Sequence, residues 1–202
     1  MRTGPTEETR PGLAPAFGEA VAAYDLPTGE HSARPGALAH AVGAVLDLGE
    51  ADLEALSHAG RLHDLGKLGG PGRTLTWPGP LDAAQWQEVN RHPTIGADLV
   101  RSCCPQSGGS YCHQLEVVAA GIETHHERFD GSGYPAGYAR EEIPLIGCIV
   151  GLVDVYGSMT QERSYRRQVF TSDEALGYLA EKSGTLFDPA LVPVVAEVAR
   201  RR

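Results

Sequence analysis

The sequence predicts an all-α fold. Apolar residues recur at helical spacing along most of the chain, no alternating strand pattern runs longer than a few residues, and capping residues stand ahead of several periodic stretches. Ala37, Leu38, Ala41, Val42, Val45 and Leu46 mark an amphipathic helix that ends before Gly49. A second helix, from about Glu50 to Asp64, carries its apolar stripe on Leu53, Leu56, Ala59 and Leu62. The Gly- and Pro-rich stretch from Gly66 to Pro80 reads as a loop. Asp82 can then cap a helix bearing Trp86 and Val89, and Pro93 suits the first turn of the next. Leu115 to about His126 is helical in pattern, and Arg128 to Pro144 is a second Gly/Pro-rich loop.

Pro144 opens a helix reaching about Thr160 that is apolar on most faces, through Leu145, Ile146, Ile149, Val150, Leu152 and Val153. Such a helix is expected at the centre of the fold. Thr171 and Glu174 have capping-box spacing, and Asp188 followed by Pro189 reads as an N-cap with proline at the first helical position, so two further helices close the chain.

At 202 residues the chain suits one buried core. We read residues 1–20 as a Pro/Gly-rich flexible arm and 21–202 as the domain, with no receiver-like region ahead of it. No apolar stretch reaches the roughly 18 residues of a membrane span, and no secretion-signal pattern opens the chain. Four cysteines without an export signal predict reduced thiols and a cytoplasmic setting. Cys103, Cys104, Cys112 and His113 match no standard zinc spacing. A formal charge of −9 argues against DNA or RNA as the main partner, so an anionic ligand would need local cations.

Those cations are suggested by His31, His63-Asp64, His92, His125-His126 and Asp154, all of metal-ligand type and on or beside the expected helices. A lone histidine is ordinarily a surface or hydrogen-bonded core residue, the reading kept for His40, His58 and His113. Repeated doublets and an aspartate inside an apolar helix point elsewhere, because a buried lone carboxylate is costly and a metal removes that cost. Asp64 is the natural bridge between two ions. Two such ions would acidify a bound water into an attacking hydroxide and neutralise phosphate oxygens. Lys67, about one turn beyond Asp64, could stabilise charge developing on a phosphate. Arg163 and Arg166 lie three apart, share a helical face and suit phosphate forks. Tyr134, among Gly131, Gly133 and Pro135, sits in a turn that exposes its ring, either to touch a guanine or to pack the loop.

The run Leu62-His-Asp-Leu-Gly-Lys67 resembles the HD phosphohydrolase signature, and His125-His-Glu-Arg-Phe-Asp-Gly-Ser-Gly-Tyr-Pro135 resembles that of the HD-GYP family. The resemblance continues through His92-Pro-Thr-Ile-Gly96, Ile143-Pro144, Asp154-Val-Tyr, Arg163-Ser-Tyr-Arg166 and Gly184-Thr-Leu-Phe-Asp-Pro189, covering roughly Thr28 to Val198. It implies an HD-domain helical bundle with added C-terminal helices and a Gly-Tyr-Pro loop. It also implies two divalent transition ions, iron or manganese by family habit, with zinc or nickel as other ions that imidazoles suit. One would lie on His31, His63, Asp64 and Asp154, the other on Asp64, His92, His125 and His126. The implied reaction is hydrolysis of cyclic di-GMP to pGpG or GMP, with Asp64 and Lys67 in the catalytic machinery and Lys67, Tyr134, Arg163 and Arg166 on the substrate.

Two other functions are carried forward: a weakly active or inactive module that binds the dinucleotide or a GGDEF-type diguanylate cyclase, and a hydrolase for cyclic GMP-AMP or other nucleotides. A homodimer is also allowed. Pro27 stands where three-metal members carry glutamate, Trp77 where lysine is common and Gly157 where aspartate is usual. Pro35, just after His31, requires its helix to begin late or kink.

Overall fold

The computed structural model describes residues 26–69, 79–104, 109–161 and 169–202, without the side chains of 26–33, 110 and 111. The expected arm, Trp77, Arg163 and Arg166 therefore lie outside the described residues, as do the side chains of Pro27 and His31. The helices are α1 (Leu26–Val45), α2 (Glu50–Leu62), α3 (Ala83–Val89), α4 (His92–Ser102), α5 (Ser110–Thr124), α6 (Leu145–Thr160), α7 (Ser172–Glu181) and α8 (Leu191–Arg200), with 3-10 turns at Leu65–Gly69 and Arg140–Glu142. Ser183 and Phe187 make an isolated bridge, and there is no strand among the described residues. The all-α expectation holds.

Two expected N-termini form as the sequence dictates. Asp82 accepts from the Gln85 amide while Gln85 returns a bond to Asp82, and Thr171 and Glu174 close the same box on α7. Each box pairs helix-end amides that would otherwise lack partners.

Other boundaries differ from expectation. Pro35 lies inside α1, so the helix does not begin late. α2 ends at Leu62, and the stretch expected to be loop from Gly66 begins as a 3-10 turn. Asp188 caps a turn through Ala190 (2.8 Å), and α8 starts at Leu191 rather than at Pro189.

Helix α6 is central, as its all-round apolarity requires. It packs against α1, α2, α5, α7 and α8. Its Ile149, Leu152 and Val153 join Leu38, Val42, Leu179 and Val195 in one core, while Val150 joins Leu62, Leu65, Ala97 and Ile122 in a second. The helix is thus the wall shared by two apolar clusters.

The cysteine expectation is corrected. Cys104 and Cys112 form a disulfide with Cα atoms 5.1 Å apart, while Cys103 and Cys148 are free thiols. The contact of α4 with α5 brings the Cys104 and Cys112 backbones within bridging distance. Composition could not register that proximity.

Close backbone approaches fix the helix ends that matter for function. A Cβ on Gly66 would stand 1.9 Å from the His92 carbonyl oxygen, and one on Gly147 would stand 2.0 Å from Thr124 Oγ1. Gly66→Ala is therefore expected to lower unfolding stability by about 1–3 kcal/mol, as overpacking of a tight contact does, measured by urea denaturation.

Candidate metal centre

Helix ends aim the polar groups inward. His63 and His125 are the C-cap residues of α2 and α5, and His92 follows two residues after Asn90, the C-cap of α3. Adjacent residues inside a helix point about 100° apart, but at a terminus the chain can turn so that both members of a pair face one space. Each of these histidines also meets a carbonyl three residues back, in the last turn of the preceding helix. His63 Nδ1 lies 2.8 Å from the Gly60 oxygen, His92 Nδ1 2.7 Å from Val89 and His125 Nδ1 2.5 Å from Ile122. Since a carbonyl only accepts, each Nδ1 carries the hydrogen, and in the neutral ring Nε2 is left as a lone-pair donor.

Those Nε2 atoms converge. His92 and His125 face each other at 3.4 Å, and one ligand atom from each of His92, His125 and His126 fits within 4.8 Å of the others. The His125 and His126 rings lie 4.0 Å apart. Asp64 sits between two imidazoles. Its Oδ2 lies 3.6 Å from His63 Nε2 and its Oδ1 3.5 Å from His92 Nε2. Asp154, reaching in from α6, places Oδ1 3.3 Å from His63 Nε2. Lys67, on the 3-10 turn, donates to Asp64 Oδ2 at 2.5 Å. His63, Asp64, His92 and His125 are buried, and His126 and Asp154 are partly so.

Electrostatics follow from burial and charge. Burial pushes His92 down and His125 well down, with neighbouring imidazoles adding to the effect on His125, and burial brings His126 to about 4. Burial also opposes a proton on His63, but the Asp64 and Asp154 carboxylates outweigh it and raise that group to about 9. Burial works to raise Asp64, yet Lys67 and His63 overcome it and hold the carboxyl far below the usual carboxylate range. His92, His125 and His126 thus present neutral imidazole nitrogens, Asp64 is an ionised carboxylate with one oxygen toward each half, and on His63 a cation would replace the proton that the carboxylates favour. That donor set fits divalent transition ions.

The structure brings together six of the seven sequence-predicted ligands: His63, Asp64, His92, His125, His126 and Asp154. The seventh, His31, lies on α1 with its side chain outside the described residues. Tyr134 departs from expectation: it is half-buried, its ring 4.8 Å from that of His126 and tilted 31°, and burial with the nearby carboxylates raises its phenol. The reason is backbone pairing, with the Tyr134 amide donating to the His126 carbonyl at 3.2 Å. Glu127 escaped the sequence reading. It is buried, and Oε1 accepts from the Ala136 and Gly137 amides at 2.7 and 3.1 Å. A carboxylate directly after a ligand pair was the available signal.

The sequence pattern of the HD domain family matches residues 17–191. The chain belongs to that family. Within it the Gly-Tyr-Pro loop places the domain with the HD-GYP type. This HD domain is 38% identical over 158 residues to the cyclic di-GMP phosphodiesterase response regulator RpfG of Xanthomonas campestris, covering 77% of this chain and 40% of that one. It is 34% identical over 169 residues to a cyclic di-GMP phosphodiesterase of Thermotoga maritima (83% and 44%), and 30% identical over 190 residues to 3'3'-cGAMP-specific phosphodiesterase 2 of Vibrio cholerae (94% and 35%). The chain spans less than half the length of these relatives. Among solved structures, a cyclic GMP-AMP specific phosphodiesterase of V. cholerae superposes with a TM-score of 0.68 at 25% identity, over 93% of this chain and 49% of that one. Bd1817, an HDG"Y"P protein of Bdellovibrio bacteriovorus, shares the fold with a TM-score of 0.66 at 15% identity, over 93% and 62%. No helix among the described residues is long and apolar enough to cross a membrane.

In the metal-free protein the lowered histidines set an acid limit. The unfolded chain takes protons near pH 6.5 that native His126 refuses until about 4, so stability falls as pH drops through that window. His63 acts oppositely: its stabilisation is complete below about 6.5 and is lost as pH rises through about 9. Metal-free stability is therefore expected to peak near pH 6.5. The His126 contribution to the acid loss is on the order of 3 kcal/mol, measurable by denaturant titration across pH with chelator present.

Proposed function

We propose that this HD domain is a metal-dependent phosphodiesterase that hydrolyses cyclic di-GMP to pGpG or GMP. The observation that carries the reading is the placement of Asp64, whose two oxygens face different histidine nitrogens in a buried site. A carboxylate so placed is built to be shared by two ions. His31, His63, Asp64 and Asp154 would hold one, and Asp64, His92, His125 and His126 the other. Iron or manganese are the ions proposed. When bound they supply Lewis acidity toward a phosphodiester and its attacking water.

The chain's own groups do the rest. The carbonyl-anchored histidines keep their rings oriented without reorganisation. Lys67, held at Asp64 with 29% of its side chain exposed, offers an ammonium to a phosphate oxygen entering from solvent. Arg163 and Arg166 are proposed to grip the remaining phosphate, which an overall acidic chain needs. Hydrolysis of a cyclic dinucleotide is also what the names of the three relatives state for those proteins. The reading extends to a cytoplasmic setting, where this second messenger is met, and to a GGDEF-type cyclase partner and a homodimer.

Purified chain loaded with Mn²⁺, or with Fe²⁺ under anaerobic conditions, is expected to convert cyclic di-GMP to linear product resolved by chromatography. Cyclic GMP-AMP and a generic phosphoester serve as competing substrates. His63→Ala should lose at least about a hundredfold in kcat, since even outer partners of metal ligands are worth 10–100-fold. Lys67→Met should lose roughly a hundredfold, the scale of one lost charge-stabilising donor. Wild-type and His63→Ala chains behaving alike toward every substrate would sink the catalytic reading.

A further inference from the structure

Among the described residues, His126 is held differently from its neighbours. His63, His92 and His125 each anchor Nδ1 on a backbone carbonyl. The contacts of the His126 ring are with other rings: His125 at 4.0 Å, Tyr134 at 4.8 Å and His92 at 5.1 Å. A metal-ligating imidazole normally has its second nitrogen fixed by a hydrogen bond, which sets the orientation of the first. Here aromatic packing takes that place, with Tyr134 and His125 on the His126 ring.

The Tyr134 ring is itself held by the residue after the pair. Glu127 Oε1 accepts from both Ala136 and Gly137, tying down the far side of the Gly-Tyr-Pro turn. The Tyr134 amide donates to the His126 carbonyl and ties down the near side. Gly133 lets the turn close: a Cβ there would stand 2.4 Å from Arg128 N and 2.5 Å from Glu127 Cα. The other carboxylate oxygen of Glu127 is buried and has no hydrogen-bond partner among the described residues. Burying half a carboxylate unpaired is unfavourable, and the two loop amides on Oε1 offset it.

We propose that the Gly-Tyr-Pro loop is a ring clamp for the ligand His126, in which Glu127 anchors the loop and Tyr134 fixes the imidazole by stacking. Both are positioning residues. The inference rests on the reading of the histidine cluster as a metal centre, and it reassigns Tyr134 from guanine contact to ligand orientation. The ring matters for the clamp; the hydroxyl does not. For Glu127 it is an acceptor that matters, and glutamine retains one.

The test separates these properties on the full chain. Mn²⁺ binding is titrated by electron paramagnetic resonance of the free ion, and the His126 Hε1 shift is recorded on metal-free, histidine-labelled protein. Tyr134→Leu and Gly133→Ala should weaken one of the two ions by about 10–100-fold, the scale of a lost ligand-orienting contact. Tyr134→Leu should also abolish the ring-current displacement of Hε1 seen in wild type. Tyr134→Phe and Glu127→Gln should keep both properties, staying within about threefold of wild-type affinity, and thermal melts establish that each variant folds. Should Tyr134→Leu misfold, Gly133→Ala carries the same test without removing the ring.

Wild type binding two ions while folded Tyr134→Leu or Gly133→Ala binds both equally well would overturn the clamp and leave the metal centre standing. Tyr134→Phe losing as much as Tyr134→Leu would also overturn it, because the hydroxyl would then be the working group. Wild type taking up no Mn²⁺ would overturn the metal centre and the clamp together.

Discussion

His92 and His125 point nitrogen lone pairs at each other across 3.4 Å in a buried space, and each is committed to that arrangement by a carbonyl on its opposite nitrogen. Two acceptors so placed repel unless something positive lies between or beside them. A proton is a poor occupant, because burial and neighbouring imidazoles push both rings away from the charged form. A divalent cation held by these nitrogens and the Asp64 carboxylate would resolve the conflict that a proton does not. The surrounding structure is arranged to keep that conflict in place. Gly66 lets the 3-10 turn press against the His92 carbonyl, and Gly151 lets α6 press against that of His125, where a Cβ would stand 2.5 Å away.

The same arrangement solves a problem of helix ends. The last carbonyls of a helix have no amide of their own to pair with. Gly60, Val89 and Ile122 lie in such last turns, and a ligand histidine three residues on uses each as its anchor. One hydrogen bond thereby satisfies a helix terminus and selects the imidazole tautomer. Among the described residues His126 shows no such carbonyl contact, and its ring meets those of His125, Tyr134 and His92 instead. On the clamp proposal its orientation comes from those ring contacts, Tyr134 of the Gly-Tyr-Pro loop among them.

What could be read from the sequence was what is encoded locally. Doublets of metal-ligand residue types at expected helix ends, and Asp154 in an otherwise apolar helix, were sufficient to name the six polar side chains that the fold gathers. The central place of α6 was legible because its residues are apolar on most faces, so no face could be left to water. Features that depend on two distant backbones meeting were not legible. Cys104 and Cys112 look like ordinary thiols until α4 and α5 bring them together. Tyr134 sits among residues that build exposed turns, and its N–H donating to the His126 carbonyl helps turn the ring inward. Glu127 looks like surface charge until the loop returns two amides to it. Gly66 to Gly69 read as loop by composition, yet the Lys67 amide pairing with the Asp64 carbonyl at 3.0 Å winds them into a turn.

The position of the site between two apolar clusters bears on how its geometry is kept. Leu62 and Leu65, flanking His63 and Asp64, belong to one cluster, and Val153, beside Asp154, belongs to the other. The 3.3 Å approach of His63 to Asp154 exists only when both clusters are packed and α6 lies between them. Neither half of the bundle can assemble the ligand set alone. Cations that bind the native arrangement and not the unfolded chain add their binding free energy to the stability of the whole domain. An ion held there would offset the cost of gathering imidazoles and carboxylates in an apolar interior. The polar centre would then add to the stability of the fold as well as serve its chemistry.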